Sequence, residues 1–498
     1  MLWRLLRSRA LLATLSVGLI LAGLSRMFDI RTSNHPRGSW QEIREIAKRD
    51  DVNLIFVLVD TLRADRLSAY GYERATSPIL GELAKGGILF RNVLSQSSWT
   101  KTSMASLWTS SYPASNGITR YMHGLPDAAQ SPAEILREAG LRTVGIWRNG
   151  WVAPNFGFQQ GFDLYYLPKA GQRPMYMRQK NPSSLDIGGT DQDATWSAVE
   201  FLRGVGDQRF FLYIHYMDVH QYLYDQSADF GSTYSDIYDN AVHWVDANIG
   251  TLVAVLQQKD LMRRTVLVVA SDHGEAFLEH GTEGHGRNLY HEVTSVPWIV
   301  ALPFRLPQGI VVETPVENVD IWPTLLDLLG MPPLAGAQGR SLVPLVEAAA
   351  QGREPQDGAR PRFAQIDQRW GRTNTEPRPL VSVQDGRWRL FESTGPPDAV
   401  ELYDVSQDPG EQRDVAAEHP EEVARLRGKL GEYMSSPAQA WGAPLDVPLS
   451  DFQLGQLRAL GYVVGPEGTL PEPLQGGERK AGARRSPRGK PGGPDPAR

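Results

Sequence analysis

The sequence predicts an α/β fold built on a mostly parallel central sheet, and three observations predict it. Short, apolar, β-branched runs of the kind buried on both faces recur at Asn53–Val59, 141–147, Phe210–Tyr216 and Thr265–Ala270. Helical periodicity fills the intervals, at 131–139, 193–203 and 234–257. Strand and helix therefore alternate along the chain instead of segregating, which is the pattern of crossover units and a parallel sheet. In such sheets ligands gather at the carboxyl ends of the strands, so the residues that follow each run are the first candidates for chemistry.

Composition narrows that chemistry. The chain has 498 residues, 41% hydrophobic and 22% charged, an ordinary globular balance that excludes wholesale disorder. Its 51 Lys and Arg against 57 Asp and Glu leave a net charge of −6, so no basic field draws it to nucleic acid. The absence of cysteine excludes disulfides, thiolate ligands and a cysteine nucleophile together. A core of this size needs no covalent staple, so an oxidising compartment is still permitted. Histidine, carboxylates and hydroxyls must carry any reaction.

The first run ends in Asp60. The third reaches His215, Asp218 and His220, and the fourth ends in the stretch SDHGE, with Asp272 and His273. Seven of the ten histidines fall between residues 215 and 291, a concentration expected of a site. An Asp-His pair at a strand end, with His280 and His285 following, has the character of a metal-ligand set. Between the first two runs, residues 97–109 (SSWTKTSMASLWT) read as a hydroxyl-rich entry into a helix. Thr100 sits at its mouth, where exposed N–H groups favour an anion or alkoxide, although in isolation it reads first as a plain N-cap. Trp99, Trp108, Trp147 and Trp151 read as core, Arg63 and Asp65 as structural partners, and 170–190 as a polar loop over the site.

At the N-terminus, Arg4, Arg7 and Arg9 precede the uncharged apolar run 10–24. Residues 1–31 are expected to be a signal peptide or membrane anchor, which would place the body of the chain outside the cytoplasm. No small-residue cleavage site follows, which favours an anchor. Residues 465–498 are basic and rich in Pro and Gly, as in a disordered tail.

The segments NLIFVLVDTLRADRLSAYGY, TSPILGELAKGGILFRNVLSQSSWTKTSMASLWTSSYP and SDHGEAFLEHGTEGHGRNLYHEVTSVPWIV together resemble the sulfatase family of the alkaline-phosphatase superfamily. The likeness continues through VENVDIWPTLLDLLGMP and ELYDVSQDPGEQRDV to QLRALGYV. It implies an alkaline-phosphatase-like catalytic domain over 50–335 and a smaller α+β domain over 336–464. By position it implies that Asp60, Asp272 and His273 are metal ligands and that Thr100 is both ligand and nucleophile. His220 and His285 would hold a second ion or the substrate anion. Arg287 falls where a basic residue meets that anion, and Asp218 and His215 are further substrate contacts.

Three departures from the family pattern shape the expected activity. Thr100 stands where sulfatases carry the Cys or Ser that becomes formylglycine, with Thr102 for the motif's Pro and Met104 for its Arg. Thr61 replaces the second of two adjacent carboxylates. A threonine cannot give the aldehyde, and a less acidic pocket containing several histidines suits one or two zinc or manganese ions better than calcium. The expected activity is metal-dependent hydrolysis of phosphate, phosphonate or sulfate esters through a covalent threonyl intermediate, on a small-molecule, lipid or glycan ester. The alternatives are a membrane-anchored transferase that moves a phospho-headgroup onto envelope lipid or glycan, and a non-catalytic binding protein on the same fold.

Overall fold

The computed structural model describes residues 35–171, 189–354, 360–367, 379–393, 399–449 and Leu454. The apolar run 10–24, the basic tail and nearly all of the 170–190 stretch lie outside the described residues. Among those described, no helix is long and apolar enough to cross a membrane.

A nine-stranded sheet organises the body. Its strands are β1 (Asn53–Val59), β2 (Ile88–Leu94), β3 (Arg142–Ile146), β4 (Leu164–Tyr166), β5 (Phe210–Tyr216), β6 (Thr265–Ala270), β7 (Ser295–Ala301), β8 (Ile310–Val312) and β9 (Val316–Glu317). The order across the sheet is β8-β2-β7-β6-β1-β5-β3-β4, with β9 also on β2. Strand β1 lies at the centre, parallel to β5 and β6, with Val57 opposite both Ile214 and Val269. Only β7 runs against its neighbours, antiparallel to both β6 and β2.

Alternation along β1 divides the core into two layers. Leu54, Phe56 and Leu58 pack into one cluster with Leu107 and Trp108 of helix α2 (Thr100–Thr109) and with Leu325 and Leu326 of helix α5 (Ile321–Leu328). Ile55, Val57 and Val59 face the other way, onto Leu80 of α1 (Pro78–Lys85), Val199 and Leu202 of α3 (Asp191–Gly204), and Val242 and Ile249 of α4 (Tyr234–Gln258). A strand covered on both faces has no polar side to show, which is why these runs are continuously apolar.

A second sheet follows, antiparallel throughout, of β10 (Arg362–Ile366), β11 (Leu380–Asp385), β12 (Trp388–Ser393) and β13 (Ala399–Asp404). Helix α6 (Pro420–Met434) covers one face with Leu426, Leu430 and Tyr433. Arg389 of β12 reaches into the main body, donating to the Leu289 carbonyl at 2.7 Å and to Thr294 Oγ1 at 2.9 Å. The smaller domain thereby braces the loop that carries His285.

Candidate active site

Two strand ends and a helix N-terminus converge. Asp60 follows β1, Asp272 and His273 follow β6, and Thr100 opens α2; all four side chains are fully buried. Thr100 is the first helical residue and Trp99 the N-cap, with no capping side chain, so the Thr100 hydroxyl is not used as a cap. It lies instead 3.1 Å from His273 Nε2. One turn on, Ser103 Oγ donates to the Asp272 carbonyl at 2.6 Å and fixes the helix against the loop that carries Asp272 and His273.

Hydrogen bonds settle the roles of the ring nitrogens. His273 Nδ1 donates to the Gly274 carbonyl at 2.9 Å, so in the neutral ring Nε2 presents a lone pair to Thr100. His285 Nδ1 donates to Glu275 Oε2 at 3.2 Å, with the same consequence for its Nε2. His215 is the reverse: Nε2 donates to Asp60 Oδ2 at 3.0 Å, and Nδ1 accepts from the Tyr213 hydroxyl at 2.7 Å. The rings of His273, His285 and His220 lie in a row, with centroid separations of 4.5 and 4.9 Å. Gly284 and Gly286 flank His285 at φ of 87° and 71°, a left-handed path that a side chain would strain.

The electrostatics point to a cation. Asp60 Oδ1 and Asp272 Oδ2 are buried with no hydrogen-bond partner among the described residues. Together with His273 they form the one group of potential ligands there whose donor atoms all lie within 4.8 Å of one another. Burial and the Asp60 charge push the Asp272 carboxyl up to about 7. Burial works against Asp60 as well, but the His215 hydrogen bond and the nearby His220 and His273 hold it below the usual carboxylate range. Without a cation the two carboxyls retain a proton between them, and orphaned buried oxygens of this kind suit a divalent ion. Burial also lowers His220 and His273, and it takes His285 down to about 4.

Two expected substrate contacts are placed differently. Both oxygens of Asp218 are committed, Oδ1 to Arg148 and Oδ2 to Trp244 Nε1 at 2.8 Å and the Asp191 backbone N–H at 2.9 Å. A fully buried arginine needs paired carboxylates, and Asp218 serves that need together with Asp191. His215 stands behind Asp60, fully buried and bonded to its Oδ2. Arg287 is exposed and acts on His285 as a neighbouring positive charge. Thr61 adopts φ 59° and turns its hydroxyl back to the Asp60 carbonyl at 2.7 Å, so it adds no ligand to the pocket. Arg63 and Asp65 form the expected ion pair, at 2.7 Å.

The structure adds Asn149, just beyond β3, whose Nδ2 lies 2.6 Å from Asp60 Oδ2 and 3.3 Å from Thr100 Oγ1. It also adds Glu275 and Tyr213 as partners of His285 and His215. Asn149 obeys the strand-end rule that picks out Asp60, and Glu275 lies two residues beyond His273, so the sequence held a signal for both.

Comparison with known proteins gives a consistent picture. Residues 52–331 match the family model described as Sulfatase, and residues 279–436 match N-sulphoglucosamine sulphohydrolase, C-terminal. Arylsulfatase K of Gallus gallus is 33% identical over 194 residues, which is 39% of this chain and 35% of that protein. Arylsulfatase K of Homo sapiens is 21% identical over 465 residues, covering 80% of this chain and 85% of that one. The fold is shared with a 2-O GAG sulfatase at TM-score 0.65 and 19% identity, covering 77% and 92% of the two chains. It is shared also with the phosphonate monoester hydrolase of Agrobacterium radiobacter at TM-score 0.61 and 20% identity, covering 77% and 95%.

Proposed function

The chain belongs to the sulfatase family, and from that premise we propose that it is a metal-dependent hydrolase of phosphate, phosphonate or sulfate esters whose nucleophile is Thr100. One observation carries this reading: a fully buried threonine hydroxyl at a helix N-terminus, 3.1 Å from the His273 lone pair and beside two orphaned carboxylate oxygens. Asp60, Asp272, His273 and Thr100 are the residues that would hold the ion, with His220 and His285 available to a second. Bound there, a divalent ion supplies Lewis-acid polarisation and lowers the hydroxyl pKa. Two carboxylates, a hydroxyl and imidazole nitrogen, with Thr61 turned away, favour zinc or manganese over calcium.

The Thr100 hydroxyl passes its proton to solvent, and its oxygen attacks phosphorus or sulfur in line. The new Oγ1 ester bond forms as the bond to the leaving oxygen breaks, and that oxygen departs with the electron pair and is protonated by solvent. Water then cleaves the threonyl ester and returns the proton to Thr100. The free N–H groups of the first turn of α2 face the incoming anion, and Arg287 adds positive charge. Phosphate and phosphonate esters rank ahead of sulfates, because Thr100 cannot supply a formylglycine aldehyde and Met104 supplies no guanidinium.

The test is turnover of matched aryl phosphodiester, phosphonate and sulfate esters by metal-replete protein beside Thr100→Ala and Thr100→Ser. Phospho-ester turnover that Thr100→Ala abolishes and Thr100→Ser partly keeps supports the reading. Turnover that survives Thr100→Ala overturns it.

A further inference from the structure

Asn149 is fully buried and caps a single helical turn, Gly150–Val152. Its Oδ1 accepts the Trp151 backbone N–H at 2.8 Å, and since an N–H can meet only the amide oxygen, this bond fixes which way the amide faces. The two hydrogens of Nδ2 are therefore aimed at Asp60 Oδ2, 2.6 Å away, and at Thr100 Oγ1, 3.3 Å away.

Before an ion takes the His273 lone pair, Thr100 has one arrangement open to it. Its oxygen receives from Asn149, and its own O–H points to the His273 lone pair. The segment that carries Asn149 is clamped from below by Lys101, the next residue after Thr100. Lys101 Nζ lies 4.6 Å from the Trp151 ring centroid and also over the Phe156 ring, and it donates to the Tyr121 carbonyl. The nucleophile helix and the amide donor are thus held to each other through two adjacent residues.

We propose that Asn149 is a catalytic residue of this site: one N–H holds the attacking Thr100 oxygen and stabilises the negative charge that gathers there, while the other fixes the Asp60 carboxylate. The amide neither gains nor loses a proton. Its contribution is a donor already aimed at the charge in a water-poor setting, where each such donor is worth roughly 10²–10³ in rate. The inference rests on Thr100 being the nucleophile.

Asn149→Ser is the informative variant, because serine keeps the N-cap acceptor for Trp151 while its short hydroxyl cannot span both Asp60 and Thr100. Asn149→Ala is the second variant. The full-length, metal-replete proteins are compared with Thr100→Ala for kcat and KM on the best aryl ester, metal content, and thermal shift with orthovanadate as an analogue of the five-coordinate transition state. The expected result is a kcat lowered about 100-fold with KM within a few-fold, full metal content, and vanadate binding weakened at least tenfold. A kcat within a few-fold of wild type in both variants, with Thr100→Ala inactive, overturns the role of Asn149 and leaves the nucleophile assignment standing. Activity lost along with metal and restored by excess metal reduces Asn149 to a support for Asp60. Wild-type protein that neither turns over an ester nor binds vanadate, or turnover that survives Thr100→Ala, brings down the proposal together with the reading it rests on.

Discussion

His215 and Asp60 meet at 3.0 Å with both side chains fully buried, and the bond decides which Asp60 oxygen is left for an ion. Oδ2 is occupied by His215 and Asn149, while Oδ1 is orphaned toward Asp272 and His273. Partners of this kind orient a ligand, and their loss typically costs about 10- to 100-fold in metal affinity. His215→Phe is therefore expected to weaken metal binding by that factor while the protein stays folded. Tyr213→Phe, which removes only the donor to His215 Nδ1, should move affinity the same way by less. Competition against a chromogenic chelator measures both.

The Asp60/Asp272 pair makes the benefit of metal depend on pH. Asp272 titrates near 7 in the metal-free fold because burial and the Asp60 charge oppose its ionisation. A carboxyl raised in this way stabilises the metal-free fold fully below its unfolded value of 3.8 and loses that contribution as pH rises through about 7. Metal must displace the same proton, so its affinity rises with pH up to about 7 and then levels. The difference in Tm between metal-loaded and chelated protein should widen from pH 5 to pH 7 and flatten above it. A difference that shrinks over that range contradicts the assignment of the pair as ligands.

The parts that the sequence made legible share a physical cause. Strands β1, β5 and β6 are buried on both faces, so their apolar runs are continuous, and the polar residues at their ends stand out as Asp60, His215, Asp272 and His273. Strand β2 is interrupted by Arg91 and Asn92, β7 carries Pro297 beside a register shift, and β4 is a three-residue edge, so none shows a clean period. Within the site, spacing named residue types near a strand end but not the direction of a side chain. Asp218 and His220, two residues apart, part company there: one pairs with Arg148, and the other lies with its ring tilted against that of His285. Asn149 gives a weaker signal because an amide carries no charge or periodicity, and its value lies in where its two hydrogens point.

Asp218 is expected to behave as a structural residue. With Asp191 it flanks the fully buried Arg148 guanidinium, whose NH2 also donates to the Gly189 carbonyl. Taking one member from such a network strands buried charge, at about 3–5 kcal/mol. Arg148→Met should lower stability by that amount, and Asp218→Ala should lower it in the same direction while KM changes little in whatever protein remains folded. Urea denaturation and steady-state kinetics separate the two effects, and a large KM rise at unchanged stability would return Asp218 to the substrate side.

Met104 tests whether helix α2 can supply a guanidinium to the anion pocket. It stands four residues after Thr100 on α2, where the family's motif carries arginine, yet it is fully buried in the main core cluster with Trp108 and Phe56. Restoring the arginine would place a longer, charged side chain into packed apolar volume. Overpacking costs about 1–3 kcal/mol, and an unpaired buried charge costs more again. Met104→Arg should therefore lower Tm markedly and create no aryl sulfatase activity, whereas Met104→Leu, which nearly conserves volume, should cost under about 1.5 kcal/mol and keep phospho-ester turnover. Thermal melts paired with turnover of both ester classes decide it. A stable Met104→Arg protein with new sulfate turnover would mean that the guanidinium reaches the anion pocket, and that the charge for the substrate can come from α2 as well as from Arg287.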